Sequence, residues 1–168
     1  NICDIEGDST SWYSVSGPYQ GSKVASWLQY QGCPYGLVHL ISDYLGYCLN
    51  DTVAPCYASL FPNETNWTPY QDAAKQRISG SMCGKSPYGL YSKYSEALAT
   101  IADWSMLPAP NDGLVAFKSC YLEGTFSGGS PRDTFYTGPL NHADTTCRNG
   151  NGWWGTMRLP CTFFTNKV

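Results

Sequence analysis

Apolar side chains recur at helical spacing in two long segments of the chain. The first segment predicts an amphipathic helix over about residues 35–47, and the second predicts a helix over about residues 94–104 that is closed by Pro108 and Pro110. The periodic positions are Leu37, Leu40, Ile41, Tyr44, Leu45 and Cys48 in the first and Tyr94, Ala97, Leu98, Ile101 and Trp104 in the second.

Shorter patterns predict the elements around these helices. Residues 12–16 alternate large and small side chains before Gly17-Pro18, which is typical of a buried strand ended by a turn. Gly21-Ser22 opens a short helix over residues 23–30, and Thr68-Pro69 starts a capping box that predicts a helix through about residue 77. Further strands are expected near residues 78–82 and 113–117, and an irregular loop over residues 123–138.

The composition indicates one folded core. The chain has 168 residues, of which 42% are hydrophobic and 15% aromatic, enough apolar material for a core of ordinary size. Its net charge of −3 comes without any Lys/Arg-rich run, so neither nucleic-acid binding nor a basic patch for anionic membranes is indicated by the sequence. No apolar run reaches the roughly eighteen residues that a transmembrane helix requires.

Eight cysteines are dispersed along the chain rather than grouped in CxxC pairs, which favours disulfides over a zinc cluster. Disulfides imply an oxidising compartment. The local pairs favoured by spacing are Cys48 with Cys56 and Cys147 with Cys161, the latter closing a loop worth roughly 3 kcal/mol. The eight residues expected to be oxidised are Cys3, Cys33, Cys48, Cys56, Cys83, Cys120, Cys147 and Cys161.

Three N-glycosylation sequons support the same compartment. They begin at Asn50, Asn63 and Asn66, within a turn-rich segment that we expect to be a glycosylated surface excursion, part of a cap-like region at about residues 30–75. Together with the cysteines they predict a secreted or extracellular protein, or one in the secretory lumen. The chain begins at Asn1 without an initiator Met or a signal peptide, so we expect that a leader or a larger upstream segment has been removed.

The candidate chemistry lies in two short motifs. Asp112 belongs to Asn-Asp-Gly-Leu-Val, and His142 follows it in Leu-Asn-His-Ala-Asp. An Asp that precedes a His in the chain can orient the imidazole of a hydrolase triad. The alternatives are an Asp-Gly turn and an ordinary surface histidine. The other histidine, His39, lies four residues before Asp43 on the same predicted helix and is better explained as a solvated or capping residue.

These motifs, in order, resemble the secreted lipases of the α/β-hydrolase fold, especially the bacterial triacylglycerol lipases. The resemblance begins with Ser-Val-Ser-Gly-Pro-Tyr-Gln-Gly-Ser at residues 14–22 and continues with Ile-Ser-Gly at residues 78–80. It ends with Pro-Asn-Asp-Gly-Leu-Val at residues 110–115, with Ser119 following, and with the motif around His142. It covers most of residues 12–144 as a framework rather than a match to one protein.

The resemblance implies an α/β fold with a partial α/β-hydrolase architecture, the C-terminal half of a mostly parallel sheet with helices and disulfide-rich loops. It assigns Asp112 as the orienting acid and His142 as the general base. In that family the serine lies on a Gly-x-Ser-x-Gly elbow upstream of the first matched strand, and here only eleven residues precede Trp12. The stretch Gly-Ser-Met-Cys-Gly at residues 80–84 places Met82 where the serine belongs, so it is rejected as an elbow.

The function implied is the C-terminal portion of a secreted lipase-like ester hydrolase, a single domain or a half-domain, active when completed by an N-terminal half that carries the serine and the oxyanion donors. Trp27, Leu37 and Ile41 are the expected lining of an acyl pocket under the cap. The alternatives are an inactive structural or binding glycoprotein on a hydrolase-like fold, and a small independent cysteine-rich module. An ester or lipid is the expected substrate, with no nucleic acid.

Two further motifs have a functional and an ordinary interpretation. Asp144 lies where such lipases hold a structural calcium, but an Asp that caps the next turn is the favoured explanation, so no cofactor is expected. Trp153-Trp154 suit a lipid or sugar contact, whereas packing in the core of a disulfide loop is favoured.

Overall fold

The computed structural model describes residues 11–34, 47–49, 51–62, 66–122, 124–125 and 128–166. A parallel sheet of three strands organises this part of the chain. The strand β1 (Trp12–Val15) pairs with the central strand β4 (Ile78–Gly84), and β4 pairs on its other side with β5 (Phe135–Gly138). Two short strands, β2 (Cys48–Leu49) and β3 (Thr52–Val53), form a separate antiparallel hairpin.

Helices fill the connections between the parallel strands. The first connection contains α1 (Lys23–Trp27), which continues into a π-helical turn at Leu28–Gly32, followed by α2 (Pro55–Ala58) and α3 (Thr68–Arg77). The second contains α4 (Ser95–Trp104) and α5 (Phe117–Cys120). After β5 come 3₁₀ turns at Asp144–Thr146 and Thr156–Arg158 and the last helix, α6 (Pro160–Thr165).

Separate clusters of buried side chains support the site. Met82 of β4 and Tyr136 of β5 pack with Leu140 and with Phe163 of α6, and all four are essentially inaccessible to solvent. A smaller cluster joins Val115 to the disulfide partners Cys83 and Cys120. The segments just after β4 and β5 are therefore anchored on packed apolar residues.

Several predicted elements are confirmed. Strands form at both 12–15 and 78–84, and helices form from Lys23, from Thr68 to Arg77 and from Ser95 to Trp104. β1 is only half-buried, with Trp12 49% exposed, because it lies at an edge of the described sheet. The helix predicted over residues 35–47 lies almost wholly outside the described residues, together with His39 and Asp43.

Two predictions near the site are wrong. The strand expected over residues 113–117 is a turn that leads into α5, with only an isolated bridge between Asn111 and Ala116. The loop expected over residues 123–138 ends in β5, because the free edge of β4 supplies a hydrogen-bonding partner that the local sequence does not reveal. The fold class is α/β, as expected.

The disulfides confirm one of the two local pairs. Cys147 is bonded to Cys161 as predicted, whereas Cys48 is bonded to Cys33 and not to Cys56. Cys33 and Cys48 of β2 are both buried, while Cys56 is exposed and has no disulfide partner among the described residues. A third bond joins Cys83 to Cys120.

Within the described residues, no helix is long and apolar enough to cross a membrane.

Candidate active site

Asp112 is held by its own turn. Its Oδ1 accepts hydrogen bonds from the backbone N–H groups of Leu114 at 3.0 Å and Val115 at 2.7 Å. The adjacent Gly113 has a φ of +101°, a conformation that favours glycine, and its N–H donates to Oδ1 of Asn111 at 3.0 Å. The Asp-Gly pair is therefore a turn, as the ordinary interpretation held, and the turn also fixes the direction of the carboxylate.

Gly84 creates the space for this carboxylate at the end of β4. A Cβ atom at this position would lie 2.8 Å from Cβ of Asp112 and would also collide with the carbonyl oxygen of Leu140. The chain segments that carry the two candidate residues thus converge on a glycine. The neighbouring Cys83, bonded to Cys120, ties the end of β4 to the helix that follows the Asp112 turn.

His142 lies in a second tight turn, just after β5. Oδ2 of the fully buried Asp144 accepts hydrogen bonds from N–H of Asn141 at 3.0 Å and from N–H of Leu90 at 2.8 Å. In return, Oδ1 of Asn141 accepts the N–H of Asp144 at 2.8 Å. These reciprocal bonds fix the backbone on both sides of His142.

The two turns meet through paired hydrogen bonds. Nδ1 of His142 lies 2.8 Å from Oδ2 of Asp112, and the backbone N–H of His142 donates to the carbonyl oxygen of Asp112, also at 2.8 Å. The Asp112 side chain is 2% exposed and that of His142 is 32% exposed. Because a carboxylate only accepts, Nδ1 carries the proton and Nε2 is the nitrogen free to act as a base. Nε2 has no hydrogen-bond partner within the described part of the chain.

The electrostatics favour the protonated imidazole. Desolvation by burial lowers the pKa of His142, but the hydrogen bond that Nδ1 donates to Asp112 and the negative charge of that carboxylate outweigh it, so the pKa is raised above its ordinary value of 6.5. An imidazolium formed here would be stabilised by a carboxylate that is itself held by backbone N–H groups. The pair is therefore suited to accept a proton at Nε2 and to return it.

The His142 turn reaches across the sheet to the end of β1. The hydroxyl of Thr145 donates to the carbonyl oxygen of His142 at 2.8 Å. Because that bond uses the proton of Thr145, the hydroxyl of Ser16 is the donor in its 2.9 Å contact with Thr145 Oγ1. Ser16 directly follows β1 and has a φ of +50°. This buried contact was not predicted from the sequence, since a serine before Gly-Pro gives no signal of a partner 129 residues away.

Both carboxylate oxygens of Asp144 accept hydrogen bonds. Its Oδ2 is occupied by the two backbone N–H groups, and its Oδ1 accepts from the amide nitrogen of Asn149 at 2.7 Å. Donors of N–H bonds cannot ligate a cation, which requires several oxygen ligands. No group of three or more acidic, histidine or cysteine side chains that could hold a metal occurs among the described residues.

Only some of the remaining candidates lie within the described residues. The ring of Trp27 packs against that of Trp104 in a tilted arrangement, with centroids 6.0 Å apart, while Leu37 and Ile41 are outside the described residues, as are Asn50 and Asn63. The hydroxyl of Ser119 donates to the carbonyl oxygen of Gly21 at 2.6 Å and has a structural role. Trp153 and Trp154 are 93% and 79% exposed, so the prediction that they pack in the core is wrong.

Comparisons with known proteins do not show to which family the chain belongs. Neither a protein-family model nor a curated protein matches it. Among solved structures, the mature lipase BlEst2 of Bacillus licheniformis is similar, with a TM-score of 0.46 and 19% identity over 79% of this chain and 47% of that chain. The chain thus spans about half the length of that lipase. The assignment of function depends on the geometry of the Asp112–His142 pair.

Proposed function

We propose that the chain is the acid–base portion of a lipase-like serine ester hydrolase. The single observation that carries the proposal is the 2.8 Å contact between the buried, backbone-held carboxylate of Asp112 and Nδ1 of His142, whose Nε2 has no hydrogen-bond partner among the described residues. This is the arrangement of the last two members of a Ser-His-Asp triad. The order of the two residues in the chain agrees with that of the α/β-hydrolases.

The proposed mechanism uses Nε2 of His142 as a proton shuttle. Nε2 takes the proton from a serine hydroxyl as its oxygen attacks the ester carbonyl carbon, and the resulting imidazolium is stabilised by Asp112. The tetrahedral intermediate then expels the alkoxide, which receives that proton from His142. A water molecule, deprotonated by the same nitrogen, releases the acid and restores the serine.

We place the serine on a segment beyond these 168 residues, either upstream in a longer chain or on a partner. β1 has a single partner strand among the described residues, so its outer edge is free to pair with one more strand. The His142 turn already contacts Ser16 at the end of β1. A parallel strand added about 4.8 Å beyond β1 would end at the same edge of the sheet, beside that turn.

We also propose that the protein is secreted and glycosylated. Disulfide bonds at Cys33–Cys48, Cys83–Cys120 and Cys147–Cys161 form in oxidising compartments. Asn66, one of the sequon residues, is exposed, and its Oδ1 accepts the N–H of Thr68 at 3.2 Å in a turn open to an oligosaccharide.

The experiment compares the 168-residue chain alone with the same chain joined to the proposed serine-bearing segment, both made in an oxidising host and assayed on p-nitrophenyl butyrate. Turnover is expected only for the longer protein, and it should be lost in His142→Ala. Turnover by the short chain would place the nucleophile within it. Absence of turnover in a folded, longer protein that contains a Gly-x-Ser-x-Gly segment would favour an inactive glycoprotein instead.

A further inference from the structure

Four exposed aromatic side chains lie on two neighbouring loops next to the His142 turn. Tyr88 and Tyr91 are 42% and 76% exposed, and Trp153 and Trp154 are 93% and 79% exposed. We call these four residues the aromatic rim. The two loops touch, since a Cβ atom at Gly152 would lie 2.8 Å from Cδ2 of Leu90.

The loop that carries the two tryptophans is rigidly closed. The Cys147–Cys161 disulfide joins its ends, and the N–H of Gly152 donates to the carbonyl oxygen of Arg158 at 2.6 Å across it. Oδ1 of Asn151 accepts the N–H of Cys161 at 2.9 Å. The exposed indoles are therefore presented on an ordered loop, and binding through them does not have to order it.

The other loop is fastened to the site. Its Tyr88 carbonyl oxygen accepts from Nδ2 of Asn141 at 3.3 Å, and the N–H of Leu90 donates to Asp144. The rings of Tyr88 and Tyr91 stack with centroids 6.3 Å apart. A surface that covers the rim would thus lie beside the turn that contains His142.

Positive charge accompanies the rim. The guanidinium of Arg148 lies 5.8 Å and the ammonium of Lys93 5.1 Å from the ring centre of Tyr94, and Arg158 lies at the base of the tryptophan loop. The loop from Cys147 to Cys161 contains no acidic residue. The fold brings Lys93 and Arg148 together at Tyr94, although they are 55 residues apart in the sequence and belong to no basic run.

We infer that the aromatic rim docks the protein on a phospholipid surface. Indoles that are 93% and 79% exposed do not line a concave site of the kind that holds a sugar or another small ligand. Tryptophan and tyrosine favour the boundary between acyl chains and head groups, where lysine and arginine meet the phosphates. The partner that fits both the projecting aromatics and the neighbouring cations is a bilayer surface.

Vesicle flotation of the purified protein tests this inference, with phosphatidylcholine vesicles and with vesicles of phosphatidylcholine and phosphatidylglycerol. The wild type is expected to bind both and to bind the anionic vesicles more tightly, with a blue shift of tryptophan fluorescence. The double variant Trp153→Ala/Trp154→Ala should bind about tenfold to hundredfold more weakly, because two large apolar side chains no longer leave water. Arg148→Gln/Arg158→Gln should lose only the preference for anionic vesicles.

Two controls make the result specific. Trp104→Ala removes a tryptophan that is 53% exposed and lies outside the rim, and it should bind as the wild type does. His142→Ala should also bind normally, because docking does not depend on the proposed catalysis. The inference would be overturned if the wild type bound neither kind of vesicle, or if the double tryptophan variant bound as tightly as the wild type. Self-association in lipid-free solution that the double variant abolishes would assign the rim to a second copy instead.

Discussion

His142 donates two hydrogen bonds to Asp112, which lies 30 residues earlier in the chain: Nδ1 donates to the carboxylate, and the backbone N–H donates to the carbonyl oxygen. The side-chain bond sets the tautomer of the imidazole, and the backbone bond sets the distance between the two turns. The relative position of the two residues is therefore set by the backbone of the two turns as well as by the side-chain contact.

The first prediction concerns the pKa of His142. In Asp112→Asn the amide carries no charge, so desolvation is no longer outweighed and the pKa should fall below that of the wild type. Nuclear magnetic resonance titration of the imidazole protons measures this. The matched control is Asp103→Asn, an exposed position that should leave the titration unchanged.

The raised pKa of His142 determines how both the stability and the rate depend on pH. Because the folded pKa is raised, the stabilisation from protonated His142 is fully present below its ordinary value of 6.5 and is lost as the pH rises through the folded value. A general base must be neutral, so the acid limb of any His142-dependent rate should lie above pH 6.5 in the wild type. In Asp112→Asn the residual rate should have its acid limb at lower pH. An unmoved limb would show that another group titrates.

Gly84 provides a steric test of the site. In Gly84→Ala the new methyl group collides with Leu140 and Asp112, which should lower the free energy of unfolding by about 1–3 kcal/mol and displace the carboxylate. Gly124→Ala is the comparison, since its Cβ meets nothing within 4 Å and only its φ of +86° is strained. Denaturant unfolding and the His142 titration should both change in the first variant, and the titration should be normal in the second.

The Cys83–Cys120 disulfide should hold the Asp112 turn to β4. Replacing both cysteines by alanine opens a 37-residue loop, for which the chain-entropy model gives about 4 kcal/mol of lost stability. Replacing Cys147 and Cys161 should leave the His142 titration closer to that of the wild type, because that loop begins after the turn. Equal effects of the two double variants on the titration would contradict the proposed role of Cys83–Cys120.

Asp144 should act through hydrogen bonds and not through calcium. Asp144→Asn turns one carboxylate oxygen into an N–H donor that faces other donors, at a cost of roughly 1–3 kcal/mol in unfolding free energy. Thermal unfolding of the wild type should be the same with calcium and with a chelator. A rise of the melting temperature with calcium that Asp144→Asn abolishes would contradict this account.

Local patterns predicted the elements that local chemistry determines. The helix at Thr68–Arg77 follows from a proline in its first turn, and the Asp-Gly turn at residues 112–113 is specified by its own side chains. The helix differs from the prediction only at its start, where Trp67 is the N-cap residue and Thr68 is already helical. In both cases no distant residue is needed.

Elements that depend on distant partners were missed. β5 has only four residues and forms because β4 offers it a ladder, and Cys48 selects the buried Cys33 over the nearer Cys56. The contact between Ser16 and Thr145 likewise arises from strand order, which composition and spacing do not encode. Asp112 and His142 could be predicted as candidates because the turn residues that flank each of them are adjacent in the sequence. The distance between their side chains depends on the fold and could not be predicted in this way.

Labelling with a fluorophosphonate of the chain joined to the proposed serine-bearing segment tests the central claim most directly, because the probe reacts with a serine that a histidine activates. The labelled peptide identifies the serine, and the labelling rate is compared among the wild type, His142→Ala and His39→Ala, which replaces the other histidine of the chain. We predict a loss of about a hundredfold to ten-thousandfold or more for His142→Ala and none for His39→Ala. Labelling of His142→Ala at the wild-type rate would contradict the assignment of Asp112 and His142 as the acid–base pair of a hydrolase.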